Sequence, residues 1–285
     1  MTDNSDRFTV RFWGVRGSIP VPGPETERYG GNTTCVQVRC GNTMFVIDAG
    51  SGIRELGRHL AKQSEAVRCH ILMTHLHWDH IQGFPYFRPA FDPSSHLTVW
   101  SENDPARPVR NTLSLQMSPP MFPIRLEDME ATLDFRTFEL TDTIELGGAR
   151  ITMAPLNHPG GATAYRIDYA GHSYVHASDH EHTAELYKPL VDLASGADYL
   201  VYDAAYTDNE YTGRGVVEPK KGYGHSTWKE AIRTATAADV AELILFQHQY
   251  DRTDEQLDQI GRWAKQVRSN TVVAFEGMEL DLLAD

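Results

Sequence analysis

The sequence predicts an α/β fold in which two sheets are flanked by helices, within one domain spanning residues 1–285. Three observations predict it. Short apolar runs bounded by Gly, Pro and Asn recur along the chain as strands, with amphipathic helical segments between them. Strand clusters separated by helices are the pattern of two packed sheets with helices outside. No linker, low-complexity stretch or residue-level repeat divides the chain, and 285 residues suffice for a large core.

The elements follow in order. Phe8–Trp13 alternates in polarity and reads as a first strand, followed by a Gly/Pro-rich loop from Gly14 to Asn32. Cys35–Arg39 and Met44–Asp48 are strands joined across Gly41-Asn42, a tight hairpin. Ser51 is placed to cap a helix running to about Ser64. The short apolar run Cys69–Met73 is a buried strand. Residues 84–130 are rich in Pro, Met and Phe with weak periodicity, which predicts a connecting region of short helices and one strand at Leu97–Trp100. Core packing is the expected role of Phe84, Pro85, Tyr86, Phe87, Met117, Met121 and Phe122. Strands follow at Leu133–Phe138, Arg150–Pro155, Ala164–Tyr169 and Ser173–Ala177. A helix near Thr183–Ala194 leads to a strand at Tyr199–Tyr202. Ser226–Ala238 reads as a helix capped by Ser226, and Leu243–Phe246 as a strand. Thr253–Val267 is amphipathic, with Leu257, Ile260, Ala264 and Val267 on one face, and Thr271–Phe275 closes the sheet system.

Composition narrows the function. No run of about 18 apolar residues exists to span a membrane. The polar N-terminus Met1-Thr2-Asp3-Asn4-Ser5-Asp6 lacks the regions of a secretory signal, so a cytoplasmic protein is expected. Cys35, Cys40 and Cys69 are odd in number and form no Cys-x-x-Cys pair, which predicts reduced, buried thiols. A formal net charge of −13 argues against a broad nucleic-acid surface. It leaves room for a small anionic substrate, since bound metals reverse the local potential.

The most informative stretch is Thr74-His75-Leu76-His77-Trp78-Asp79-His80, on the loop leaving the Cys69–Met73 strand. Imidazole and carboxylate together suit zinc or a similar divalent ion. Four such groups on one loop exceed what one closed tetrahedral site needs if it also draws ligands from elsewhere, so two metals sharing one pocket are expected. Further candidates sit where predicted strands end: His158 in Asn157-His158-Pro159-Gly160-Gly161, Asp179 in Ala177-Ser178-Asp179-His180, and His248 in Phe246-Gln247-His248-Gln249-Tyr250.

On these residues the chain resembles the metallo-β-lactamase superfamily. His75, His77, Asp79 and His80 match its His-x-His-x-Asp-His motif, and His158, Asp179 and His248 match its later ligand positions. The resemblance covers nearly the whole chain and implies a four-layer αββα sandwich. It also implies two divalent ions. One would be held by His75, His77 and His158, the other by Asp79, His80 and His248, with Asp179 bridging. Zinc fits this imidazole-rich set, and manganese or iron suit the same mixed donors. The openings Phe12–Pro20 and Gly30–Cys35 resemble a bacterial subgroup of these hydrolases. There Arg16 is open to two readings, a phosphate contact or a structural ion pair.

The metals alone do not choose a substrate. Gly224-His225-Ser226-Thr227 resembles the context in which a histidine of ribonuclease Z and related phosphodiesterases assists the leaving group. Asp203, in Val201-Tyr202-Asp203-Ala204-Ala205, stands where those enzymes carry the acidic residue that orients it. A phosphodiester leaves as an alkoxide, and imidazolium beside a carboxylate supplies the proton it needs near neutral pH. The expected activity is therefore a dinuclear metal phosphodiesterase acting on a small anionic phosphodiester such as a cyclic nucleotide. Metal-bound hydroxide would be its nucleophile, with His225, Asp203 and Asp79 as the catalytic side chains.

The basic arm with which ribonuclease Z holds transfer RNA has no counterpart beyond the brief pair Lys220-Lys221, so large nucleic acids are not the expected partner. RNA 3′-end processing, hydrolysis of a lactone, thioester or β-lactam, and a non-catalytic metal-binding role are the rival readings. His180 and His182 crowd the bridging position, where hydrogen bonding or solvent exposure is the expected role of each. The family resemblance alone implies a homodimer.

Overall fold

The computed structural model describes residues 7–63, 65–215 and 218–284; the expected helix end at Ser64 and the N-terminal hexapeptide lie outside them. Fourteen strands are present among the described residues: β1 (Phe8–Gly14), β2 (Cys35–Cys40), β3 (Thr43–Ile47), β4 (Arg68–Leu72), β5 (His96–Glu102), β6 (Thr132–Phe138), β7 (Thr143–Leu146), β8 (Ala149–Leu156), β9 (Ala162–Tyr169), β10 (His172–Ala177), β11 (Tyr199–Asp203), β12 (Glu242–Phe246), β13 (Thr271–Val273) and β14 (Glu279–Asp281). The α-helices are α1 (Ile53–Leu60), α2 (Trp78–Ile81), α3 (Val109–Gln116), α4 (Lys188–Ala194), α5 (Asp208–Thr212), α6 (Trp228–Ala237) and α7 (Asp254–Val267).

The strands form two seven-stranded sheets, in the orders β14-β1-β2-β3-β4-β5-β6 and β13-β12-β11-β10-β9-β8-β7. Each sheet joins an antiparallel flank to a parallel run, β3 to β6 in the first and β10 to β13 in the second. One apolar core, including Phe12, Phe45, Tyr165 and Phe246, lies between the sheets. A second lies outside the first sheet under α1 and α3, and a third outside the second sheet under α4, α6 and α7. The result is the four-layer αββα sandwich.

The parallel strands are apolar on both faces because both faces are covered. In β12, Leu243 and Leu245 enter the helix-side core while Ile244 and Phe246 enter the core between the sheets. A one-residue slip would exchange the two sets, so the pattern fixes the register. All three cysteines are free and buried. No helix among the described residues is long and apolar enough to cross a membrane.

Several boundaries differ from expectation. Ser51 is not a cap: Gly52 precedes α1 without a side-chain cap, and Ser51 Oγ instead accepts from Thr33 N–H at 2.9 Å and donates to Asn32. Thr227, not Ser226, caps α6 through Glu230 N–H. Thr253 caps α7 in a reciprocal pairing with Gln256. Leu257, Ile260 and Ala264 are buried there, but Val267 is exposed in the last turn. Strands β7 and β14 and helix α5 escape the periodicity argument because they are too short to show a period. Phe84, Phe87 and Met117 are core, whereas Tyr86 and Met121 face outward.

Arg16 is a structural cation. It is fully buried, and its guanidinium donates to the carbonyls of Gly30 (2.8 Å), Gln249 (3.2 Å) and Arg252 (2.6 Å). This closes off the phosphate contact and ties the first loop to the segment after β12. Arg16→Met is expected to cost about 3 kcal/mol, because three buried or partly buried carbonyls lose their donor at about 1 kcal/mol each. Urea denaturation of the two proteins measures it.

Candidate metal centre

The site forms where the carboxyl ends of strands from both sheets meet. β3 ends at Ile47 and the next residue, Asp48, adopts a left-handed backbone (φ 61°). Its buried carboxylate accepts from Thr74 N–H (2.8 Å), the Thr74 hydroxyl and His80 Nδ1 (2.8 Å). That one residue fixes the loop leaving β4. The loop then turns into the single-turn helix α2, whose start at His77 brings His77 and His80 to the same side, with His80 N–H bonded to His77 O at 3.0 Å. Thr163 N–H, on β9, bonds Thr74 O at 2.9 Å and ties the second sheet to this loop.

Two groups of donor atoms result. In the first, His75 Nε2 lies 2.9 Å from His77 Nδ1, which lies 3.0 Å from His158 Nε2. Asp179 Oδ2 faces this group, 3.8 Å from His75 and 3.6 Å from His158. In the second, His80 Nε2 lies 3.0 Å from Asp179 Oδ1 and 3.5 Å from Asp79 Oδ2. Asp179, just beyond β10, thus presents one oxygen to each group. His75, His77 and His158 offer atoms within 4.8 Å of one another, as do His75, His80 and Asp179.

The donor chemistry fits cations. Burial, then the neighbouring imidazoles, hold His75 well below the ordinary imidazole value, and His77 is lowered for the same reasons. Both therefore keep lone pairs. His158 Nδ1–H is spent on Gly224 O at 2.8 Å, which leaves Nε2 aimed inward. His75 Nε2, His77 Nδ1 and His158 Nε2 converge into a cluster of imidazole donors that a cation among them would satisfy. Around His80 burial is outweighed by Asp179, Asp79 and Asp48, which push its pKa well up. Asp179 is held well below the carboxylate range, its burial overcome by His80 and His75. The second group, too, is built to hold positive charge.

Gly224 is needed where it stands. It has φ +87°, and a Cβ there would lie 2.4 Å from His158 Nδ1. Glu181 accepts from Gly222 and Gly224 N–H and from the Tyr211 hydroxyl, and so pins this loop. His225 follows. Its Nδ1 lies 2.7 Å from Asp203 Oδ2 and 3.9 Å from Asp179 Oδ2. Asp203, at the end of β11, is fully buried and also accepts from the backbone N–H groups of His180, Ala205 and Ser226. Burial lowers the pKa of His225, but Asp203, then Asp179 and Asp79, outweigh it and raise the value to about 9.

The structure brings His75, His77, Asp79, His80, His158, Asp179, Asp203 and His225 together. It does not bring His248 there. The His248 ring is buried with Nε2 donating to Ala274 O at 2.8 Å, and its edge lies against Tyr29. The reason is local. Gln247, directly after β12, takes a left-handed backbone (φ 57°), which turns its own side chain toward His80 and the next one away. Strict alternation past the strand end would have exchanged them. His180 is also structural: Nδ1 accepts from Asn157 N–H, and the ring packs between Tyr187 and Tyr202. His182 Nδ1 contacts Ser226 Oγ and its ring stacks on Tyr211.

Sequence reasoning missed Asp48, Glu181 and Gln247. Asp48 and Gln247 carried the same signal as the residues it found, a polar side chain at a strand's carboxyl end. Glu181 had none. Arg107 was missed as well; it donates to Gly160 O at 2.6 Å on the rim beside His77.

Four similarities to known proteins bear on this arrangement. A family model described as beta-lactamase superfamily domain matches residues 43–248. An uncharacterised Mycobacterium leprae protein is 28% identical over 248 residues, covering 83% of this chain and 77% of that one. Ribonuclease Z of Lacticaseibacillus casei is 23% identical over 284 residues, covering 85% of this chain and 86% of the relative. In solved structures, a diphosphatase from the PhnP family shares the fold with a TM-score of 0.71 at 18% identity, over 96% of this chain and 97% of that one.

Proposed function

Since the chain belongs to the metallo-β-lactamase superfamily, whose members are metal-dependent hydrolases, we propose that it is a phosphodiesterase acting on a small anionic substrate. The observation that carries this reading is the His225–Asp203 pair, 2.7 Å apart and beside the bridging carboxylate Asp179. A lactone or thioester hydrolase has less use for a proton donor held in that way.

His75, His77 and His158 would hold one divalent ion, and Asp79 and His80 a second, with Asp179 shared. Zinc suits the first set. Bound ions supply Lewis acidity and lower the pKa of a water toward neutrality. The chain's own groups do the rest. Asp203 accepts the Nδ1–H of His225, which fixes the ring and leaves Nε2 as the nitrogen free to give a proton. Three backbone N–H groups keep Asp203 from turning away. Protonated His225 then donates to the departing alkoxide oxygen.

The likeness to ribonuclease Z over 85% of the chain supports phosphodiester chemistry. The net charge of −13 favours a small substrate over a large RNA. The test is a substrate screen on protein reconstituted separately with zinc and manganese. Hydrolysis of bis(p-nitrophenyl) phosphate and of 2′,3′- or 3′,5′-cyclic nucleotides is expected, with no cleavage of precursor transfer RNA. Turnover of lactones or thioesters with none of phosphodiesters would reverse the reading.

A further inference from the structure

We infer that the side-chain oxygen of Gln247 is a ligand of the second cation position, standing where a second imidazole, that of His248, was expected. This rests on the metal reading above and extends it. Gln247 is fully buried, and its amide lies 3.4 Å from His80 Nε2, the ring nitrogen that faces Asp179 and Asp79. His80 Nδ1 is committed to Asp48, so Nε2 is the nitrogen available to an ion. Gln247 Oε1 has no hydrogen-bond partner, and neither has Asp179 Oδ1. Both oxygens are buried beside the same ring nitrogen, Asp179 Oδ1 at 3.0 Å from His80 Nε2 and the Gln247 amide approaching it through its nitrogen, and unpartnered oxygens are unexpected in a packed interior. Each is satisfied by a cation among them. The amide nitrogen contacts the same His80 atom, so a half-turn of the amide presents the oxygen there instead.

The backbone is shaped to deliver this side chain. Gln247 holds a left-handed conformation that non-glycine residues rarely adopt, and such conformations persist where function requires them. Gly17 packs against the amide. A Cβ at residue 17 would lie 2.8 Å from Gln247 Nε2 and displace it. His248, the alternative, has its Nε2–H bound to Ala274 O.

The substitution changes the donor set. The first position offers three imidazole nitrogens and one carboxylate oxygen. The second offers one imidazole nitrogen, from His80, and oxygens from Asp79, Asp179 and Gln247. Imidazole suits zinc, while carboxylate and carbonyl oxygens suit harder ions such as manganese or magnesium. The two positions therefore differ in kind. The first retains zinc, and the second exchanges and accepts Mn2+.

The test uses the full chain, loaded with zinc and dialysed against a weak chelator. Zinc content is read by elemental analysis and Mn2+ uptake by the loss of the free-ion electron paramagnetic resonance signal. The wild type is expected to keep one zinc and take up one Mn2+. Gln247→Leu should keep its zinc and melting temperature but bind Mn2+ about tenfold more weakly or worse. Gln247→Glu, which keeps an oxygen donor, should bind Mn2+ as tightly or more tightly, and His248→Asn should bind it as the wild type does. Unchanged Mn2+ binding in Gln247→Leu, or its loss in Gln247→Glu, would overturn the assignment. If Gln247→Leu does not fold, Gln247→Glu alone decides. A wild type that retains no zinc would instead refute the metal reading itself, and the assignment with it.

Discussion

His225→Ala is expected to slow hydrolysis of a phosphodiester with an alkoxide leaving group about 10²- to 10⁴-fold, the range of general acid catalysis. The effect should fall on kcat, because the ring acts on the departing oxygen and not on ground-state binding. With bis(p-nitrophenyl) phosphate the loss should be much smaller, since p-nitrophenolate departs without a proton. Comparing the two substrates on one variant separates proton donation from a merely structural role. The pH dependence has a definite sign. Only imidazolium donates, so the wild-type advantage is present below the pKa of His225 and disappears as pH rises through it. Asp203 and the other carboxylates set that value at about 9. Asp203→Asn should move the alkaline limb to lower pH. An equal loss with both substrates would remove His225 from the proton-donor role.

Asp179→Asn is expected to be the most damaging substitution for metal content. One oxygen of Asp179 faces the three-imidazole group and the other lies 3.0 Å from His80. Asparagine offers a single neutral oxygen and cannot serve both groups. Outer residues that merely orient ligands typically cost 10- to 100-fold in metal affinity, so this shared ligand should cost about 100-fold or more. Elemental analysis after dialysis against buffered zinc measures the loss, and hydrolysis at limiting metal should fall with it. A melting curve at saturating zinc checks that the variant folds. Wild-type loading of the variant would show that the two groups do not share Asp179.

Much of this was legible from residues alone. Long or strongly apolar elements such as β4, β12 and α7 declare themselves because both faces of a buried strand, or one stripe of a helix, must be apolar. The His75–His80 loop was legible because donors crowd one short segment. Short edge pieces such as β7 and β14 were not, since four residues or fewer define no period. The error at His248 is of a different kind. Residue type pointed to the histidine, but backbone conformation at its neighbour decided which side chain entered the site. A left-handed glutamine cannot be read from a string of letters. Asp48 and Gln247 both carry the strand-end signal, but the role of Asp48 likewise depends on a left-handed turn that aims its carboxylate at Thr74 and His80.

The donors around the cation positions come from loops of both sheets: His75, His77, Asp79 and His80 follow β4, while His158, Asp179 and Gln247 follow β8, β10 and β12. Neither half of the polypeptide carries a usable centre by itself. Under the proposed metal reading, ion occupancy would act as a rivet across the seam, its free energy adding to the cohesion of the whole. The proposed hydrolysis would then report completed assembly, since a chain with only one sheet in place would lack half of the donors.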